Sequence, residues 1–332
     1  MKQLSLLSLA ALMMLSGCYT TNNKPAAKPV KALYITSAGW FHQYEEQIAL
    51  VHQGLSKDVA VSLDIIVGDV ERLKQTDFAA GYDLLIYNFC HAAQRDEEFV
   101  ESLIRPVYQD GKPLIALHCT MHSFQFDKRW PVFLGLKTLR HEKQRSFEVT
   151  TVGEHELLNN IAASFSLASD ELYLTIEKDE KITPLLNAYG VESKAVHTQG
   201  WLYQSGKGEV IATTLGHHQN TLSDQNFQQF LANSVTYLTK SQGENRQVAA
   251  LGEGKITVLS ENAKYPDSAL RQCVIHNMFS IGGEKVNACI EMQCNDQNKE
   301  QCTKQCQEDN PWPVPETLWD DCQSGKLTAP KQ

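Results

Sequence analysis

Between residues 32 and 118, short apolar runs alternate with longer mixed stretches, and few folds accommodate that pattern. Residues 32–36, 61–67 and 83–89 are apolar and β-rich and read as strands, and a fourth strand follows Pro113 and ends at His118. Residues 45–55 and 97–108 lie between them and read as helices. Strand and helix alternating at this spacing imply βαβ units and a parallel sheet. Right-handed crossovers then place helices on both faces. In open sheets of this kind ligands bind at the carboxyl edge of the strands.

Three polar segments converge on that edge. Pro113-Leu-Ile-Ala-Leu is followed abruptly by His118-Cys-Thr-Met-His122, so a buried strand ends by presenting an imidazole. Glu209-Val-Ile-Ala-Thr-Thr-Leu-Gly216 is a second β-rich run and ends in His217 and His218. Asp170-Glu171-Leu-Tyr173 sets two carboxylates beside a tyrosine. A neutral imidazole binds a metal or moves a proton near pH 7. One polar pocket built on His118, Glu171 and His217 is therefore expected, with His218 turned elsewhere and His155 capping a turn or facing solvent.

Downstream of Trp130-Pro131 the pattern shortens: residues 145–152 alternate, 172–176 are apolar and 182–186 form a brief run, all read as strands or connections inserted in the same domain. Trp201-Leu-Tyr leads through Ser205-Gly-Lys-Gly208 to the next strand, a hairpin signature. Residues 226–238 close the domain as an amphipathic helix.

The two ends of the chain differ from its middle. Lys2 followed by the apolar run 4–15 reads as an export signal over residues 1–17, too short to span a bilayer as a stable helix. Leu15-Ser-Gly-Cys18 resembles the bacterial lipobox, so Cys18 is expected to be lipidated and residues 18–30 to tether a 31–240 domain to the membrane. Tyr19 supplies no retention aspartate, which points to the outer membrane, facing the periplasm or the outside. Six of the nine cysteines, Cys273, Cys289, Cys294, Cys302, Cys306 and Cys322, lie beyond residue 240. In an exported chain this reads as a disulfide-stapled tail over 241–332 with open pairing and, as one reading, a docking site for a protein partner. A formal charge of −9 and the lack of any basic run argue against nucleic acid.

Taken together, several pieces resemble the ThuA-like (trehalose utilisation) family. They are Gly39-Trp-Phe-His42, Leu117-His118, Leu134-Gly135 with His141, His155-Glu156, Asp170-Glu171-Leu-Tyr173, Trp201 with Gly206-Lys-Gly208, and Thr214-Leu-Gly-His217. The resemblance covers roughly residues 31–240. It implies an α/β, flavodoxin-like (class I glutamine amidotransferase-like) parallel sheet flanked by helices, with the cysteine-rich stretch as a small C-terminal appendage outside it. Three positions depart from the family pattern: Ala116 replaces its usual Gly, Glu156 its usual Pro, and Glu209 its usual Arg.

The resemblance also implies a small-molecule carbohydrate substrate, an oxidised (3-keto) sugar or glycoside. His118, His217, Glu171 and His141 are the expected catalytic groups, and Trp40, His42, Tyr173 and Trp201 the expected sugar-binding ones. Glu171 is preferred to Asp170, which is expected to bond nearby backbone. His118, His141 and His217 are the expected ligands of a divalent metal such as Zn²⁺, if one is used. A non-catalytic glycan-binding or scaffold lipoprotein is the alternative. Three readings stand for Cys90 and Cys119, in order: buried free thiols, a disulfide across neighbouring strands, and, for Cys119, a nucleophile.

Overall fold

The computed structural model describes residues 28–37, 42–240, 254–261, 268–294, 302–303, 305–306, 309–310 and 315–328. Cys18, the export signal and Trp40 lie outside them. Elements run β1 (Val30–Thr36), α1 (Tyr44–Leu55), β2 (Val61–Val67), α2 (Val70–Leu73), β3 (Leu84–Asn88), α3 (Glu97–Tyr108), β4 (Leu114–Leu117), α4 (Arg129–Leu134) and β5 (Leu136–Lys137). They continue with β6 (Arg145–Thr151), β7 (Ser164–Asp170), β8 (Glu177–Lys178), β9 (Thr183–Gly190), β10 (Ala195–Ser205), β11 (Gly208–Thr213), α5 (Gln219–Leu222), α6 (Gln225–Lys240), β12 (Ile256–Glu261) and α7 (Ser268–Gln293).

Ten strands form one sheet in the order β12-β2-β1-β3-β4-β11-β10-β9-β6-β7. Its first six are mutually parallel, and β2-β1-β3-β4-β11 is the flavodoxin-like order. Side chains alternate across β1, so Ala32 and Tyr34 join Val51, Leu55, Phe227 and Leu231 from α1 and α6 on one face. Leu33 and Ile35 join Phe99, Leu103 and Trp130 from α3 and α4 on the other. Strands covered on both faces must be apolar throughout, which is why these runs show no polar alternation.

The second half of the sheet is antiparallel. β10 and β11 form the expected hairpin through Gly206-Lys207, with Ser205 opposite Gly208. One strand reading gives way here. Residues 172–176 are not a strand; Tyr173 makes one isolated bridge, to His141, as the chain crosses the sheet end. The strand lies earlier, at β7, whose Phe165 and Leu167 face the core while Ser164 and Ser166 face solvent.

One further strand of the sheet follows residue 240. β12 lies beyond it and pairs in parallel with β2, covering the edge that strand would otherwise expose. The cysteine-rich segment follows. α7 packs on the helix Pro315–Gln323 around Val274, Met278, Leu318 and Trp319. Cys273–Cys322, Cys289–Cys306 and Cys294–Cys302 staple it. None of the described helices is long and apolar enough to cross a membrane.

The order given for Cys90 and Cys119 is overturned as well, because the two are bonded. β3 and β4 are neighbours, and the chain turns at His118, which brings the two Cα atoms to 5.0 Å. Strand alternation would instead have continued along the sheet.

Two local devices carry predictions. Gly135 ends α4 at φ +76, where an added Cβ would lie 2.6 Å from the Tyr203 ring. Gly135→Ala should lower the unfolding free energy by about 1–3 kcal/mol in urea titrations. Buried Glu142 accepts from the amides of Val191, Glu192 and Ser193, from the Ser193 hydroxyl and from Arg145, tying the strand-6 approach to the β9–β10 turn. Burial alone would raise its carboxyl, but the bonds from Arg145, Ser193 and Glu192 prevail and bring it down to about 2. A carboxyl depressed on folding stabilises above its unfolded value and loses that stabilisation as pH falls toward the folded one. Glu142→Gln should therefore cost about 2 kcal/mol at pH 7, and the gap to wild type should close between about pH 4 and pH 2 in the same titrations.

Candidate active site

β4 delivers His118 to the carboxyl edge, where the strand breaks into a 3-10 turn, His118–His122. His118 itself has φ +46, a conformation side chains other than glycine rarely adopt. Surrounding bonds hold it there. Its Nδ1 lies 2.7 Å from the Thr214 carbonyl, which can only accept, so Nδ1 carries a hydrogen and Nε2 faces the pocket. Thr120 Oγ1 donates to the Tyr87 carbonyl and accepts from the Phe89 amide, and the Trp130 indole donates to the Thr120 carbonyl. The turn is thus stitched to the end of β3.

β11 delivers His217 through Gly216 at φ +118. The fully buried carboxylate of Asp170 accepts from the amides of Gly216 and His217 at 2.9 and 3.1 Å and from Glu171 at 2.7 Å. Asp170 therefore bonds backbone, as expected. Gln47, on α1, donates to the His217 carbonyl and accepts from Asn88. Gln199 holds both backbone groups of Tyr173 and accepts from Thr214.

Into this frame Glu171 projects its carboxylate. One oxygen lies 3.5 Å from His118 Nε2 and 3.4 Å from His217 Nδ1; the other lies 3.5 Å from His141 Nε2. His118 Nε2 and His217 Nδ1 are 3.2 Å apart, and the Tyr173 hydroxyl is 3.5 Å from His118 Nε2. All four residues expected to act together are therefore in one place. His141 stands at the mouth, its Nδ1 on the Glu142 carbonyl.

One further imidazole, His122, joins the pocket, and His42 lies deeper in it than a sugar contact. His42 follows β1 and packs edge-on against both His118 and His217, with ring centroids 4.8 and 4.9 Å apart. It is buried, and among the described residues neither of its ring nitrogens has a hydrogen-bond partner. His122 stacks on Tyr173 at 3.8 Å and bonds Thr138. A signal for His122 existed: once the strand gives way to a helical turn, His118 and His122 rise from one local segment, whereas continued strand alternation scatters them.

The metal set is corrected accordingly. The nitrogens that converge within 4.8 Å are those of His42, His118 and His217, and His141 is not among them. Trp201 is corrected too: it is fully buried and its indole donates to the Leu134 carbonyl, so it is core. His155 caps the turn at 156–158 and His218 caps α5, both away from the pocket.

The charges divide sharply. Burial, followed by repulsion from neighbouring imidazoles, drives His42 well below the usual histidine range. Burial and then the His118 charge bring His217 down to about 4. Burial presses on His118 as well, but Glu171, Asp170 and the Thr214 carbonyl outweigh it and hold that ring above its usual value. Glu171, which burial would raise, is brought down to about 2 by His118, His217 and His141. Near neutral pH the pocket thus holds one ion pair, His118 with Glu171, beside neutral His42 and His217.

A second polar cluster resembles a nucleophilic triad and is not one. Ser193 Oγ lies 2.9 Å from His197 Nε2. However, His197 Nδ1 accepts from the Thr175 amide, so Nε2 carries the hydrogen and cannot take one from the serine.

Comparison with known proteins agrees with this architecture. A ThuA-like protein from Parabacteroides merdae ATCC 43184 superposes with TM-score 0.54 at 16% identity, covering 64% of this chain and 91% of that one. A second, from Bacteroides uniformis ATCC 8492, gives 0.53 at 16% identity, covering 66% and 95%. No curated protein matches. The family model described as ThuA, trehalose utilisation, matches residues 31–238, more than half of the chain and every element that builds the pocket, and the chain therefore belongs to the ThuA family.

Proposed function

We propose that this protein is an envelope lipoprotein, anchored through Cys18, that acts on a carbohydrate, an oxidised (3-keto) sugar or glycoside, by proton transfer beside the carbonyl. The observation that carries the reading is the single carboxylate of Glu171 in reach of His118, His217 and His141. Acid and base roles follow from environments that push two titratable groups apart. His118, protonated at Nε2 and paired with Glu171, donates to the carbonyl oxygen as charge develops there. His217, neutral, takes the proton from the adjacent carbon. Glu171 stabilises the imidazolium throughout, and Tyr173 and His141 are placed to hold sugar hydroxyls at the inner wall and the mouth.

A divalent ion such as Zn²⁺ fits the same pocket. His42, buried with neither ring nitrogen bonded among the described residues, could offer a lone pair, and His118 and His217 would complete a three-imidazole set with Glu171 beside it. Such an ion supplies a Lewis acid for the carbonyl oxygen in place of the His118 proton.

The alternative of a non-catalytic glycan binder drew on the departures at Ala116, Glu156 and Glu209. These side chains lie elsewhere: Ala116 is buried within β4, Glu156 pairs with Lys240, and Glu209 accepts from Tyr237. The proton-transfer apparatus is intact without them. Purified protein should turn over 3-keto glycosides, with His118→Ala and Glu171→Gln each lowering kcat by about 10²-fold or more and changing KM little. Wild-type protein that binds such sugars and never converts them would make it a binder.

A further inference from the structure

His42 belongs to two constellations at once. Its ring nitrogens lie within 4.8 Å of those of His118 and His217, and also within 4.8 Å of the sulfurs of Cys90 and Cys119. Cys119 follows the strained His118 directly and is buried; Cys90 lies just beyond β3, is half-buried, and its amide donates to Ser37. The disulfide therefore forms part of the wall behind the imidazole pocket, and the one buried side chain between wall and pocket has no hydrogen-bond partner among the described residues.

We propose that reduction of the Cys90–Cys119 bond creates a second metal site, in which the two thiolates and His42 hold a thiophilic divalent ion such as Zn²⁺, drawing His42 away from His118 and His217. The electron balance is simple. A dithiol reductant attacks the more accessible Cys90 sulfur, the bond to Cys119 breaks, and the two electrons come from the dithiol, which leaves as its own disulfide. Cys90 and Cys119 take up the two protons it gives up, and lose them to solvent when the ion binds. Freed from their bond, the sulfurs can open to the roughly 3.8 Å edge that Zn–S bonds of about 2.3 Å require of a tetrahedral ligand set. Two sulfurs and one imidazole leave the fourth position to water. In the oxidised protein the sulfurs are not ligands, and His42 serves the imidazole pocket alone.

The effect on the pocket rests on the reading of His42 as a ligand given above; the thiol site does not. Co²⁺ distinguishes the two, because thiolate ligation adds a near-ultraviolet charge-transfer band that imidazole ligation lacks. Full-length protein is titrated with Co²⁺ before and after treatment with a dithiol. The expected result is a thiolate band at one equivalent that appears only on reduction, exceeds the tail-cysteine background measured in the Cys90→Ser/Cys119→Ser variant, and weakens at least tenfold in apparent affinity in His42→Ala. Co²⁺ should also protect Cys90 and Cys119 from alkylation in reduced wild-type protein, a readout that needs no substituted chain. Equal bands in wild type and the double variant, or alkylation of Cys90 and Cys119 unchanged by Co²⁺, would overturn the proposal. If the oxidised protein fails to bind Co²⁺ while the reduced band persists, only the catalytic ion is struck out.

Discussion

Asp170 holds the two halves of this molecule in register. β7 is the last strand of the antiparallel half and lies five places from β4 in the sheet, yet the carboxylate at its end accepts from the amides of Gly216 and His217 just beyond β11. A buried carboxylate is tolerable only when its lone pairs are met, and here three amides meet them. Because the third amide is that of Glu171, the bonds that set the His217 backbone also set the residue that reaches His217. Glu171 and His217 thus share one anchor, and neither has to find the other by side-chain flexibility.

The parallel half supplies the opposite wall by a different device. β4 stops at Leu117, and the next residue takes a left-handed conformation that costs on the order of 1–3 kcal/mol and persists only where neighbours dictate it. Those neighbours are the Thr214 carbonyl on the ring, Thr120 locked against Tyr87 and Phe89, and Cys119 bonded to Cys90. The strain turns Nε2 away from the strand direction and into the pocket. A histidine continuing the strand would point to one sheet face and be buried among Leu33, Phe99 and Trp130, or among Val51 and Phe227 on the other side.

How much of this could be read from residues alone follows from where the information is local. The parallel strands and their helices were legible within a residue or two, because runs such as 61–67 and 97–108 declare themselves by apolarity and period without reference to distant chain. His118 and His217 were legible because each follows a buried run that ends abruptly. The role of Trp201 was not: an aromatic near a glycine turn suits a sugar or a core equally, and the bond from its indole to Leu134 links residues 67 positions apart. His42 was expected as a sugar contact, and only the approach of β4 and β11 to β1 places its ring between two other imidazoles. β12 did announce itself, since Ile256-Thr-Val-Leu-Ser-Glu261 is β-rich, but the cysteine count around it drew attention to the tail as a whole.

Several residues that break local rules meet in the pocket. His118 occupies a glycine-like conformation, His42 buries two nitrogens without partners among the described residues, and Asp170 and Glu171 place adjacent carboxylates where solvent is scarce. Conflicts of this kind gathered at one place mark a functional site. They are also mutually dependent. Glu171, with Asp170 and the Thr214 carbonyl, holds the His118 ring above its usual range, and His118, with His217 and His141, holds Glu171 low against burial. His118 and Glu171 therefore depend on each other for their charge. Its lower wall comes from β1, β4 and β11 and its upper wall from β7 and the segment around His141. The parallel half alone would leave His118 and His217 as two rings at a bare sheet edge, with no Glu171 carboxylate facing them.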